Sequence, residues 1–244
     1  MPLAPAIRQN MFYSPNIDIE TTVTVLSEEE SMHCVKVLRY TRGDEIELMN
    51  GTGGLFKAVI TNPHPKHCEV RIISAVQQPR PRDYHLHIAV APTKNIERME
   101  WMVEKCTEIG IDEITPLLCH YSERKQLRTD RLEKIILSAA KQSLNTYLPR
   151  LNPLTPFDEF ISNAQEESRF IAHCYKDDKR RELKDELQSG KSCLILIGPE
   201  GDFSEEEVRT AISKGYITVL LGSTRLRTET AAIVACHTAI LMKH

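Results

Sequence analysis

The sequence predicts an α/β protein in which a small β-barrel precedes a larger parallel sheet covered by helices. Three observations carry this prediction. Short β-type runs fill the first part of the chain, strands and helices alternate after residue 82, and two glycine turns each follow a buried strand. Alternating βα units favour a parallel sheet with helices on both faces. We place the boundary between two domains, residues 1–79 and 80–244, beside the segment Pro79-Arg-Pro-Arg82.

The first domain contains four β-type runs, at residues 21–26, 45–49, 55–60 and 68–76. Turn residues separate them, as in Asn50-Gly-Thr-Gly-Gly54. Ser27, with Glu30 three residues later, has the pattern of a capping box, so we expect a helix over residues 32–38. Several short strands with one helix predict a small β-barrel module.

The second domain alternates strand and helix. Apolar runs at residues 86–91, 113–118, 170–174, 194–197 and 217–221 predict five strands. Two helices are predicted by apolar residues at helical spacing, which are Ile96, Met99, Met102, Val103 and Cys106 in the first, and Leu132, Ile135, Ile136 and Ala139 in the second. We expect a helix after each of the last three strands as well.

Two glycine turns predict a ligand pocket. Gly198-Pro-Glu-Gly201 follows the strand at 194–197, and Gly222 follows the strand at 217–221. Ligands of open α/β sheets bind outside the carboxyl ends of the strands, and glycine lets the backbone approach a ligand closely.

These turns also resemble one family. Gly198-Pro-Glu-Gly201, Leu221-Gly222 and Leu226-Arg-Thr-Glu-Thr-Ala231 are similar to motifs of the 16S ribosomal RNA uracil-N3 methyltransferases of the SPOUT superfamily. Further matching motifs occur in the same order along nearly the whole chain, namely His33-x-x-x-Val37-Leu38-Arg39, Gly43-Asp44, Lys94, Arg98-Met-Glu-Trp101 and Lys105-Cys-Thr-Glu-Ile-Gly110. The resemblance implies a SPOUT-type sheet with a deep trefoil knot, a PUA-like N-terminal barrel that binds RNA, and a homodimer.

The resemblance further implies S-adenosylmethionine as cofactor and a uridine of 16S ribosomal RNA, free or in the small ribosomal subunit, as target. The knotted loops would bind the cofactor through Leu196, Ile197, Gly198, Gly201, Leu220, Leu221, Gly222 and Leu226. Arg227, Glu229 and Glu200 are the catalytic candidates. We expect Glu229 to hold Arg227 in a bidentate pair, so that Arg227 stabilises charge on the uracil or fixes a phosphate.

The sequence leaves several alternatives open. By position alone, Glu200 and Glu229 could equally be helix caps or partners of an arginine. Asp202 stands where family members commonly have a second glycine, and Thr224 where they have Arg, for which Arg225 is a candidate substitute. Other functions to weigh are methylation of another RNA nucleotide and a non-catalytic, RNA-binding role in ribosome assembly.

The net charge of −3 does not indicate RNA binding by bulk electrostatics, so positive charge must be local. Arg8, Lys36, Arg39 and Arg42 form one group of cations and are the predicted RNA-binding residues. A second group consists of Arg124, Lys125, Arg128 and Arg131. The alternative for each group is an ordinary solvated surface.

The cysteines, the histidines and the apolar runs bear on whether the protein has disulfides, a metal site or a membrane span. The 7 cysteines include no Cys-x-x-Cys pair, which indicates neither disulfides nor a zinc site; we expect mostly buried thiols. His85 with His87, and His64 with His67 and Cys68, lack a well-spaced further ligand, so no metal is expected. No apolar run approaches the roughly 20 residues of a membrane span, and the start resembles no signal peptide. We expect a cytoplasmic protein that makes no membrane contact.

Overall fold

The structure is a computed structural model that describes residues 10–175 and 180–242. It divides into two compact units. The first comprises the chain up to Pro81 together with Ala140–Leu148, and the second comprises Arg82–Ala139 and the chain from Pro149 onward. Nothing in the sequence pattern indicated that residues 140–148 belong with the first unit.

The first unit is built on a curled five-stranded sheet, which confirms the predicted small N-terminal barrel. The strand order is β1-β3-β4-β5-β2, with β1 and β3 parallel and the other neighbours antiparallel. Its core contains Phe12, Leu48, Phe56, Ile60 and Val70. The strands are β1 (Met11–Tyr13), β2 (Val23–Val25), β3 (Glu45–Met49), β4 (Gly54–Asn62) and β5 (Glu69–Gln77).

The helix of this unit begins earlier than predicted. Helix α1 spans Glu28–Met32 and continues as a π-helical turn over His33–Val37. Ser27 caps α1, because its hydroxyl accepts the N–H of Glu30 at 3.2 Å. The reciprocal hydrogen bond of a capping box, from the Ser27 N–H to the Glu30 carboxylate, is not formed, so this part of the prediction is wrong. The Glu30 carboxylate instead accepts the N–H of Tyr13 at 3.2 Å and binds Lys141 Nζ at 2.7 Å.

The second unit is built on a parallel sheet with the order β11-β13-β10-β12-β6-β7-β8, and β9 pairs with the end of β7. This confirms the predicted parallel α/β sheet. The strands are β6 (Leu86–Val90), β7 (Glu113–Leu118), β8 (Arg150–Leu151), β9 (Thr155–Pro156), β10 (Ser168–Ala172), β11 (Arg181–Glu182), β12 (Cys193–Ile197) and β13 (Ile217–Leu220).

In the described part of the chain, six helices follow α1, namely α2 (Ile96–Ile109), α3 (Thr129–Ser143), α4 (Phe157–Asn163), α5 (Leu183–Glu186), α6 (Glu205–Ser213) and α7 (Thr228–Met242). Helix α7 packs on α2, α5, β6 and β12, whereas α4 and α6 share an apolar cluster with Leu194 and Leu196 of β12. Every residue of β12 is buried, as expected for a central parallel strand.

Six of the seven cysteines are buried and all are free; Cys174 is exposed. Over residues 10–175 and 180–242, no helix has the length and apolar character needed to cross a membrane.

Candidate active site

Two adjoining cavities open at the carboxyl ends of β10, β12 and β13. Their volumes are about 320 and about 410 Å³, and Ala172, Ile197 and Ala231 line both. Ala172 and Ile197 are the last residues of β10 and β12, and Leu220, the last residue of β13, lines the first cavity. Parallel α/β sheets bind ligands at this edge, so these cavities are the candidate ligand site.

The glycine turns form the cavity walls. Gly198 follows β12 and lines the second cavity, and Gly222 follows β13 and lines the first. The hydroxyl of Thr228, at the start of α7, donates to the Gly198 carbonyl at 3.1 Å and so ties α7 to the first turn. Gly222 has a φ of +118°, and a Cβ there would meet nothing within 4 Å. Backbone conformation, not crowding, is therefore what requires glycine at this position.

Six of the eight residues predicted to bind the cofactor line these cavities. Leu196 does not, because it is fully buried within β12. Gly201 also does not; it lies against Tyr121, whose Cβ would be 3.1 Å from a Cβ at that glycine. The six lining residues are Ile197, Gly198, Leu220, Leu221, Gly222 and Leu226.

Glu200 connects three loops beside the second cavity, which it lines. Its Oε1 accepts the N–H of Lys94, in the loop between β6 and α2, at 2.9 Å. Arg124, which follows β7, donates to the carbonyl oxygens of Thr93 at 3.1 Å and Lys94 at 2.7 Å. These bonds hold the loops after β6, β7 and β12 together at one edge of the sheet.

The expected pair between Arg227 and Glu229 is not formed. Arg227 is exposed and lines the second cavity, whereas Glu229 is only 6% exposed. Glu229 Oε1 lies 3.7 Å from Nε of Arg98 instead, and its buried Oε2 has no hydrogen-bond partner among the described residues. Arg227 precedes α7 and is exposed, whereas Glu229 is buried in the first turn of α7, where it lies against Arg98 of α2. Arg98 lines the second cavity, so its contact with Glu229 connects that carboxylate to the site.

Asp202 and Cys174 are cavity residues to which sequence reasoning gave no role. The Asp202 carboxylate accepts the N–H of Cys174 at 2.7 Å and that of Phe203 at 2.8 Å, which joins the loops after β10 and β12. Asp202 has a φ of +69°, a conformation that Asp tolerates better than most residues. Although Cys174 is an exposed residue, neighbouring atoms partly desolvate its thiol and raise the thiol pKa, and the Asp202 charge adds to this. In the sequence, only the presence of Asp202 where family members commonly have glycine pointed to a special role for this position.

The predicted RNA-binding residues belong to the first unit. Arg8 lies outside the described residues. Lys36, Arg39 and Arg42 are exposed in and after the π-helical turn, and Arg39 adopts a positive φ of 60°. Their exposure agrees with either phosphate binding or a solvated surface.

His85, which precedes β6, and His87, within β6, contact carboxylates at the opposite, amino-terminal edge of the sheet. His85 Nε2 lies 2.9 Å from Glu113 Oε2, and His87 binds Glu166 and Thr115. Burial acts to raise the pKa of Glu113, but hydrogen bonds from His85 and Asn152 outweigh it and lower that pKa to about 2. The bond to Glu113 raises the pKa of His85. In the described part of the chain, no group of three or more His, Cys, Asp or Glu side chains could hold a metal ion.

Comparison with known families gives two matches. The family model described as an RNA methyltransferase domain matches residues 80–240, and the one described as an RNA methyltransferase PUA domain matches residues 26–73. The first match covers more than half of the chain and includes both glycine turns and both cavities.

Similar proteins span nearly the whole chain. Ribosomal RNA small subunit methyltransferase E of Buchnera aphidicola is 30% identical, over 86% of this chain and 84% of its own length. A probable rRNA-methyltransferase from Porphyromonas gingivalis has a similar structure, with a TM-score of 0.88, 40% identity and coverage of 96% and 98% of the two chains. Ribosomal RNA small subunit methyltransferase E of Neisseria gonorrhoeae, solved with bound S-adenosyl methionine, has a TM-score of 0.83 at 25% identity, over 93% and 95%.

Proposed function

The chain belongs to the RNA methyltransferase family that includes ribosomal RNA small subunit methyltransferase E, and we propose that it methylates N3 of one uridine in 16S ribosomal RNA with S-adenosylmethionine as donor. One observation carries the proposal. The joined cavities, walled by two glycine turns, lie at the carboxyl ends of β10, β12 and β13, inside the region that matches the methyltransferase domain.

The residues of the cavities fit this cofactor. Apolar side chains of Ile197, Leu220 and Leu226, together with the backbone of the two turns, suit a flat adenine ring. Glu200 and Asp202 provide carboxylates for the positive sulfonium and ammonium groups, and Arg225, which lines the same cavity, can pair with the carboxylate of the cofactor. When bound, S-adenosylmethionine supplies an electrophilic methyl group.

The transfer breaks the methyl–sulfur bond, forms a bond from the methyl carbon to N3 of uracil, and releases the N3 proton. The cavity residues can align the base, exclude water and favour the deprotonated ring. Arg227 lines the second cavity with an exposed guanidinium, and we assign it to stabilising negative charge on the uracil. Glu200, exposed in the same cavity, is the candidate to accept the N3 proton. Buried Glu229 positions Arg98 and does not touch the base.

In this proposal the two domains have different functions. Residues 80–244 carry out methyl transfer, and residues 1–79 bind RNA through Arg8, Lys36, Arg39 and Arg42, of which the last three are exposed. The match of residues 26–73 to a PUA domain of RNA methyltransferases supports this division. Phosphate contacts by such cations make RNA affinity depend on salt concentration.

A trefoil knot, a homodimer and a cytoplasmic location complete the proposal. The bond from Thr228 to Gly198 and the packing of α7 on α2 and β12 support a C-terminal segment threaded beside the first glycine turn. Trp101 of α2 and Leu241 and Met242 of α7 are exposed apolar side chains, 46%, 58% and 49% accessible, that a second copy of the chain would cover. Light scattering of the purified chain tests the dimer.

The function is tested by incubating the purified chain with radiolabelled S-adenosylmethionine and small ribosomal subunits, followed by nucleoside analysis of the 16S ribosomal RNA. We expect label in 3-methyluridine. Label in a different nucleoside would favour a methyltransferase with another target. Absence of transfer by a chain that binds RNA would favour the non-catalytic assembly role.

A further inference from the structure

A basic groove lies in the C-terminal unit, along the loop after β7 and the first turns of α3. Its volume is about 630 Å³, within the usual range for ligand sites. Four cations line it, and they outnumber the two carboxylates, Glu100 and Asp130. Lys125 is exposed in the same loop. The four lining cations are Arg124, Arg128, Arg131 and Lys134.

Ion pairs do not neutralise this groove. Glu100 is bound by Arg131 at 2.7 Å, and Asp130 by Arg128 at 2.8 Å. Both carboxylates are thus already engaged. Over the described ranges, Lys125 and Lys134 form no ion pair, and both are exposed. Two or more positive charges therefore remain for an anionic ligand.

Arg124, which lines the groove, is held in place by backbone contacts. Its guanidinium donates to two carbonyl oxygens, those of Thr93 and Lys94. A guanidinium has five N–H donors, so others remain for a phosphate. Since the N–H of Lys94 in turn binds Glu200, only two hydrogen bonds separate the groove from the second cavity of the candidate active site.

An exposed aromatic side chain lies in the same loop. Tyr121 is 49% accessible and packs edge-on against His120, with 4.6 Å between ring centroids. Its Cβ lies against Gly201, in the first glycine turn. Aromatic side chains next to basic grooves provide platforms on which unpaired bases stack.

We propose that this surface, Tyr121 with Arg124, Lys125, Arg128 and Lys134, binds an unpaired segment of the RNA substrate beside the methyl-transfer cavity. The groove cations bind backbone phosphates, and Tyr121 stacks on a base. The proposal rests on the proposed function for the nature of the ligand. It adds a second RNA-binding surface to the cations of the N-terminal unit.

The phosphate contacts are tested with the triple variant Lys125→Ala, Arg128→Ala and Lys134→Ala, which spares Arg124 because that side chain bonds to the backbone. The matched control, Lys184→Ala, Arg209→Ala and Lys214→Ala, removes three exposed cations that do not line the groove. Binding of a labelled oligouridylate of about 12 nucleotides and of 16S ribosomal RNA is measured by anisotropy across a range of KCl concentrations. We expect the groove variant to lose about 10-fold in affinity and its log–log salt slope to fall by about 2.

Stacking is tested with Tyr121→Ala, for which we expect about a 10-fold loss of oligouridylate affinity, and Tyr121→Phe, which should retain binding. Unchanged affinity and salt slope in the groove variant, or a loss matched by the control, would overturn the phosphate contacts. Equal losses for Phe and Ala would overturn stacking. S-adenosylmethionine binding, measured by calorimetry, should stay unchanged throughout. If the wild-type chain neither binds nor methylates RNA, the proposed function is wrong. If the wild type is active and the groove variant binds RNA as the wild type does, only the proposed role of the groove is wrong.

Discussion

The carboxylate of Glu229 lies 3.7 Å from Nε of Arg98, and this contact joins the first turn of α7 to α2 beside the second cavity. Glu229 is buried, and its Oε2 accepts no hydrogen bond from the described residues. A buried carboxylate is costly unless a positive charge is nearby, although the N-terminal end of α7 also favours a negative charge. Arg98 therefore offsets part of the cost of burying the Glu229 carboxylate.

Removing Arg98 should destabilise the protein. We expect Arg98→Ala to lower the free energy of unfolding by about 1–3 kcal/mol, because it leaves Glu229 buried without its partner. Adding Glu229→Gln to that variant should restore part of the loss, since a neutral amide is easier to bury. Urea unfolding of the wild type, both single variants and the double variant gives the coupling free energy.

The control for this cycle is Arg209→Ala, which removes an exposed arginine 3.5 Å from Glu205. Exposed pairs of this kind contribute little, so we expect a change within about 0.5 kcal/mol. If Arg98→Ala is no more destabilising than Arg209→Ala, the contact with Glu229 has no stabilising role.

Arg227 should act on methyl transfer and not on cofactor binding. Its guanidinium is exposed at the second cavity and pairs with neither Glu229 nor any other described carboxylate. We expect Arg227→Ala to lower the rate of methyl transfer by about 10² to 10³, the usual effect of removing one preorganised charge donor. Arg227→Lys should retain part of the rate, because no bidentate pair fixes this side chain.

The two properties are measured separately, transfer with radiolabelled cofactor and binding by calorimetry. Affinity for S-adenosylmethionine that falls in parallel with the rate would move Arg227 from the reaction to the cofactor site.

Two glycines provide a matched test of the cavity wall. Gly222 and Gly43 both have positive φ, +118° and +96°, and a Cβ at either would meet nothing within 4 Å. Replacing each by Ala should cost a similar free energy of unfolding, roughly 1 kcal/mol, through backbone strain alone. Only Gly222 lines the first cavity, so only Gly222→Ala should weaken cofactor binding. Calorimetry measures the cofactor affinity of both variants. Equal affinities would show that the loop after β13 does not contact the cofactor.

The pair between His85 and Glu113 should make stability depend on pH. The His85 pKa is raised in the folded state, so its contribution is complete below the unfolded value of 6.5 and is lost as the pH rises through the folded value. The Glu113 pKa is lowered from 4.5 to about 2, so its contribution is complete above 4.5 and is lost as the pH falls towards 2. The pair therefore contributes most between about pH 4.5 and 6.5.

Thermal unfolding checks this window. His85→Ala should lower the melting temperature more at about pH 5.5 than at about pH 9, relative to the wild type at each pH. A decrease of the same size at both pH values would mean that packing of the imidazole, and not its charge, accounts for the loss.

The regular elements could be predicted from sequence because their periodicity is local. Strands β3 and β7 match the predicted ranges, and the buried residues of α2 include the predicted Met99, Met102, Val103 and Cys106. The two-residue strands β8, β9 and β11 could not be predicted, because their neighbours in the sheet define them. They have too few residues for a pattern.

In the candidate site as well, features set by local sequence could be predicted, and contacts between distant residues could not. Gly198 and Gly222 could be placed beside a pocket because each follows a strand. The partner of Glu229 could not be found, because Arg98 is distant in the sequence and only the packing of α7 on α2 brings the two together. Likewise, the order of the strands, which puts β10 between β12 and β13, brings Cys174 to the cavities.

Methylation of the ribosomal RNA in cells is tested by mass mapping of 16S ribosomal RNA from cells that lack this protein. We predict the loss of a single 3-methyluridine, its return when the wild-type chain is restored, and a much weaker return with Arg227→Ala. An unchanged content of 3-methyluridine in the 16S ribosomal RNA of the deficient cells would mean that this protein does not methylate that RNA at N3 of uridine.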